Sequence, residues 1–80
     1  MNEGSPTTTI YVYLLDEGVH VWRPVEASHR GGDQYEIVSL NRDPEDEHWQ
    51  FASGDIVRCK LQRLSEGERL VAHELVQRSA

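Results

Sequence analysis

The segment 8–15, TTIYVYLL, constrains the fold more than any other part of the chain. Ile10, Val12 and Leu14 fall on one parity, and Tyr11, Tyr13 and Leu15 fall on the other. A strand built from it is therefore apolar on both faces. Its β-branched and aromatic residues favour a strand over a helix. Eighty residues leave little other chain to cover both rows. Closing the sheet into a small barrel is the economical way to do so, and it also protects the sheet edges.

The rest of the chain follows the same grammar. Asp16-Glu17-Gly18 is a turn signal, and residues 19–27 resume with Val19, Val21, Val25 and Ala27 on one parity, so 8–27 reads as a hairpin. Pro24 interrupts the second strand and marks an edge, a bulge or a bend. A bulge there would turn Trp22 inward with Val25 and Ala27; without one Trp22 faces the other way. Arg30-Gly31-Gly32-Asp33 is the next turn and 34–40 the next strand. Residues 41–47 form a polar loop, 48–52 alternate again, and Ser53-Gly54-Asp55 turns the chain. In 56–64, Val57, Cys59 and Leu61 share one face, and Arg58, Lys60 and Gln62 share the other. Ser65-Glu66-Gly67-Glu68 returns the chain into 69–76. Leu70, Val71, Leu75 and Val76 also fit a short helix, but the preceding Gly turn favours a strand. Residues 1–7 read as a leader, 8–77 as a single domain and 78–80 as a tail. Five or six short strands at this spacing predict an all-β small barrel or sandwich.

Size and charge exclude several functions. A chain this short buries only about 60–65% of its unfolded surface. Dinucleotide-binding folds, TIM barrels and α/β-hydrolases do not fit. Eight Lys+Arg against fourteen Asp+Glu give a net charge of −6. Phosphate neutralisation dominates nucleic-acid affinity, so an acidic chain is a poor nonspecific DNA binder, and anionic membranes repel it. Partners with a basic surface fit better. The single cysteine has no partner for an internal disulfide and makes a Cys-rich zinc site impossible. The N-terminal residues lack the features of a signal peptide, and no run of apolar residues is long enough to span a bilayer. A cytoplasmic protein is expected.

Two stretches carry a resemblance: Tyr11-Val12-Tyr13-Leu14-Leu15-Asp16-Glu17-Gly18 leading into Val21-Trp22-Arg23-Pro24-Val25-Glu26-Ala27, and Trp49-Gln50-Phe51 leading into Gly54-Asp55-Ile56-Val57-Arg58-Cys59. Over roughly residues 9–75 the chain resembles a group of small uncharacterised bacterial proteins. That resemblance implies an SH3-like barrel of five to six strands, in which a Gly-Asp turn launches a strand. It implies no activity. The Ala-Leu-Tyr-Asp-Tyr-like segment of eukaryotic SH3 peptide binders is missing, so proline-rich recognition is not implied.

Catalytic and metal chemistry find little support. His20, His29, His48 and His73 form no His-x-x-x-His pair, and Asp46, Glu47 and His48 are neighbours that a strand sends to opposite faces. No metal site and no cofactor are expected. Residues 43–47 lack the spacing of a calcium loop. Ser28-His29 is an adjacent pair in a turn, with no Gly-x-Ser-x-Gly elbow. Cys59 lies between Arg58 and Lys60, but strand parity turns those cations away from it, so a small buried apolar residue is the simpler reading. No catalytic residue is assigned, and the chain is not expected to be an enzyme.

The aromatic residues are more informative. Trp and Tyr dominate binding hot spots because they bury large area at low entropy cost. Tyr13, Trp22 and Trp49 are candidates to line a shallow groove, with Asp43, Glu45, Asp46 and Glu47 as its acidic rim. The competing reading makes both tryptophans core residues. The leading expectation is a non-catalytic protein-interaction module that binds a basic partner, as a monomer or weak homodimer. An acidic DNA mimic of the antirepressor kind is the alternative. A nucleic-acid-binding barrel using the stripe Arg58, Lys60 and Arg63 ranks last, since cross-strand carboxylates such as Glu74 offer those cations simpler partners.

Overall fold

In a computed structural model of the chain, residues 6–17 and 21–79 are described. The element order is β1 (Thr8–Leu15), β2 (Trp22–Gly31), β3 (Gln34–Ile37), β4 (His48–Trp49), β5 (Ile56–Leu64) and β6 (Gly67–Gln77). Among the described residues there is no helix, and 69–76 is strand throughout. The six strands form one sheet in the order β2-β3-β5-β6-β1-β4, and a further β2–β1 pairing closes five of them into a ring. All pairings are antiparallel except β1 with β6, which meet in parallel at Tyr11 and Val71.

The ring exists because β1 has a partner on each side. Ile10, Val12 and Leu14 point inward and are buried. Ile10 and Val12 form one core cluster with Val25 and Ala27 of β2, Ile37 of β3, and Val57 and Cys59 of β5. Phe51 and Ala72 complete the core. The opposite row of β1 is only partly covered, with Tyr11 and Tyr13 half-buried and Leu15 exposed.

Pro24 sits in an unbroken register, opposite Tyr11. Leu14 N donates to Val21 O at 2.9 Å, which makes that pair hydrogen-bonded. Such pairs alternate along an antiparallel ladder, so Tyr11 and Pro24 form a non-hydrogen-bonded pair, and the missing N–H lies on the side away from β1. No ladder bond is lost. The bulge is further along, between His29 and Gly31, where Gly31 has φ 108°. The strand thus absorbs Arg30 and Gly31, and the expected turn contracts to Gly32 and Asp33.

Two strands are shorter than their sequence pattern implies. The strand expected over 34–40 ends at Ile37. Beyond it, Val38 N and Ser39 N both donate to Glu26 O, and Ser39 Oγ accepts from Glu26 N at 2.8 Å. The serine hydroxyl takes a position that a ladder bond would fill, and the chain leaves the sheet. The strand expected over 48–52 reduces to His48–Trp49, paired with Leu15 and Leu14. Gln50 N still donates to Tyr13 O at 2.9 Å before the chain turns.

That turn is organised by Asp55, which is only 2% exposed. Its carboxylate accepts from Ala52 N at 2.9 Å and from Ser79 N at 2.7 Å. Its backbone C=O accepts from Ile37 N at 3.0 Å, and Gly54 N donates to Ile37 O at 2.7 Å. One residue therefore ties β3, the start of β5 and the end of the chain after β6. Gly54 is required beside it: φ is +90°, and a Cβ there would lie 2.5 Å from Ser79 Oγ. Replacing Asp55 with Ala leaves the part-buried N–H groups of Ala52 and Ser79 without an acceptor. It should lower stability by about 2–3 kcal/mol, read from the urea midpoint, with amide exchange at Ala52 and Ser79 accelerating first.

Candidate functional site

The pleat of β1 separates the aromatic residues. Tyr13 points outward and pairs with Trp22 at a non-hydrogen-bonded position, where side chains approach most closely. Their rings meet edge to face with centroids 5.2 Å apart and an interplanar angle of 70°. Trp49 pairs with Leu14, the next residue along β1, so it lies on the inner side and packs against the core. Tyr13 and Trp22 are thus together, and Trp49 is on the other face. Trp22 instead lines a cleft of about 450 Å³ with Val21 and the tip of the β5–β6 hairpin, Arg63 to Glu66.

Trp49 lies at the rim of the ring of strands, where the loop after β3 folds across the start of β2. The loop is self-supporting. Asn41 Oδ1 accepts from Asp43 N at 2.9 Å, and Asn41 Nδ2 donates to Glu47 O at 2.7 Å. Asp43 O accepts from Asp46 N and Glu47 N at 2.9 and 2.8 Å. These bonds fix Glu47 beside the tryptophan: Trp49 Nε1 donates to Glu47 Oε1 at 3.1 Å, and Arg23 Nε lies 3.6 Å from the same oxygen. The result is a depression of about 210 Å³ whose lining includes Arg23, Pro24, Leu40, Asp43, Glu47 and Trp49. Glu45 and Asp46 stand exposed on the turn beside it.

Of the candidate residues, Asp43, Glu47 and Trp49 converge on this depression, Glu45 and Asp46 border its loop, and Tyr13 and Trp22 lie elsewhere. Residues not singled out from the sequence do much of the work. Asn41 holds the loop, and an Asn two positions before Asp-Pro is a recognisable Asx-turn signal. Arg23 and Leu40 carry no comparable local signal, since their proximity to Trp49 depends on long-range pairing.

Several other polar side chains are engaged within the fold. Arg58 donates to Glu74 at 2.9 Å and to Asp33 at 3.2 Å, and the bond to Glu74 is the main reason its guanidinium is held above its ordinary pKa. His48 Nδ1 lies 3.2 Å from Asp16 Oδ2. His29 stacks on Tyr35 at 4.8 Å. His20 lies outside the described residues. Among the described residues, no group of three His, Cys, Asp or Glu side chains is placed to hold a metal ion. Nor is any helix among them long and apolar enough to cross a membrane.

In comparisons with known proteins, no family model, no curated protein and no solved structure matches the chain.

Cys59 is buried in the core. Burial, aided by the negative charge of Asp33, pushes its thiol up to about 12. Thiolate is the reactive form. At pH 8 alkylation of the native chain should therefore be about a thousandfold slower than of the urea-unfolded chain, where the pKa returns to about 8.5. Comparable rates in the two states would place the thiol outside the core.

Proposed function

We propose that this chain is a non-catalytic protein-interaction module, an SH3-like barrel that binds a basic partner at the depression beside Trp49. Trp49 carries the reading. Its ring is braced by the core, its N–H is fixed on Glu47, and its remaining surface borders a cavity of about 210 Å³. That volume is below the roughly 300–1,000 Å³ usual for small-molecule sites and suits one side chain of a partner. A rigid, partly exposed tryptophan loses little entropy on binding. The rim supplies the charge preference: Asp43, Glu45 and Asp46 are exposed and belong to no ion pair among the described residues. Tyr13 and Trp22, on the opposite face of β1 from Trp49, are proposed to add a separate apolar contact area. A cytoplasmic location fits the single, buried and free cysteine.

The test uses an isotopically labelled full chain titrated with a synthetic lysine- and arginine-rich peptide. The Trp49 Nε1–H and the amides of 43–47 should shift together. Affinity should fall about tenfold or more between about 50 and 500 mM salt, as screening predicts. Trp49→Ala should abolish the shifts while circular dichroism stays that of a folded sheet. If neutralising Glu45, Asp46 and Glu47 abolishes binding and Trp49→Ala leaves it intact, the acidic-mimic reading replaces this one. If Trp22→Ala and Trp49→Ala both unfold, the tryptophans are core residues and the groove reading fails.

A further inference from the structure

A second surface lies on the outer edge of β5. The β5–β6 hairpin closes on the pair Leu64/Gly67, which is hydrogen-bonded when two residues form the loop. Every second pair back toward the ring is then also hydrogen-bonded, namely Gln62/Arg69 and Lys60/Val71. The N–H and C=O groups of Leu61 and Arg63 consequently point away from β6. The preceding member of that outward series, Cys59, donates its N–H to Asp33 O at 2.8 Å. β3 reaches no further along β5, because Asp33 precedes its first residue, Gln34, whose partner is Arg58. No described residue receives the outward groups of Leu61 and Arg63.

Alternating free donors and acceptors on a strand edge are a template for an added strand. The open edge of β2 is different. Pro24 offers no N–H, and the backbone groups of Glu26 are taken by Val38 and Ser39. The side chains along the β5 edge indicate what it would accept. Leu61 is 65% exposed. Lys60 and Arg63 are exposed and form no ion pair among the described residues. Arg63 and Leu64 also line the cleft of about 450 Å³ against Val21 and Trp22, which offers room for a side chain of the incoming strand. A second copy of this chain is a poor occupant. It would place Lys60 and Arg63 of both copies along one seam, where like charges repel.

We propose that the edge of β5 over residues 61–63 receives an extended acidic segment of a partner protein as an added strand, separately from the Trp49 depression. The probe is a short synthetic peptide alternating valine with glutamate, and its control carries lysine in place of glutamate. With the full chain at saturation, amide exchange at Leu61 and Arg63 should slow about tenfold or more, and exchange over 43–47 should stay unchanged. The double variant Lys60→Glu/Arg63→Glu should bind the probe about tenfold more weakly with the same urea midpoint as the parent. Four results would overturn the proposal: no binding into the millimolar range, equal binding of the lysine control, protection confined to the loop beside Trp49, or sedimentation showing that β5 edges pair in a dimer.

Discussion

The buried carboxylate of Asp55 is the constraint on which the closed sheet depends. A charge taken out of water is tolerated only when it is fully hydrogen-bonded, and here each partner comes from a different place. Ala52 belongs to the turn before β5, and Ser79 follows β6. The backbone of the same turn holds Ile37 at the end of β3. Three segments far apart in sequence must therefore arrive together. Gly54 makes this possible, because the end of the chain occupies the space where a Cβ would be. With this clamp, β5 is fixed against both β3 and β6.

From that register the arrangement of the surface follows. Because β1 is paired on both sides, its side chains have only two directions, into the ring or out of it. Adjacent residues Tyr13 and Leu14 carry their cross-strand partners to opposite faces, Trp22 outward and Trp49 inward. The acidic loop joins Trp49 because Asn41 folds it back on itself and Glu47 accepts from the indole. The depression and the outer aromatic pair are thus distinct features set on either side of one strand.

Length matching leaves the other feature, the open edge of β5. The β5–β6 hairpin is longer than β3, and β3 begins only at Gln34, opposite Arg58, because the Gly32–Asp33 turn immediately precedes it. The excess hairpin carries two unpaired backbone positions with cations on either side. Lys60 and Arg63 serve there as protection against indiscriminate pairing, a common use of charge on edge strands. The same charges define which partner strand is compatible.

Much of this was legible in the residues themselves. The alternation in 8–15 and 56–64 set two strands at their observed limits, because side-chain parity in a half-buried strand is a local property. The Gly turn before 69–76 favoured a strand there, and the cation opposite Glu74 was readable as a cross-strand pair. An all-β fold, the buried Cys59 and the acidic loop all came from local chemistry. Tertiary structure alone decided the rest. Whether Pro24 bulged depended on which side of it lay against β1, and the length of β3 depended on a serine bonding to β2. The aromatic trio divided because cross-strand partners share a face, and those partners are chosen by pairing between distant segments. Residue type sets what a strand prefers to bury; only the register of the closed sheet decides which residues stand together.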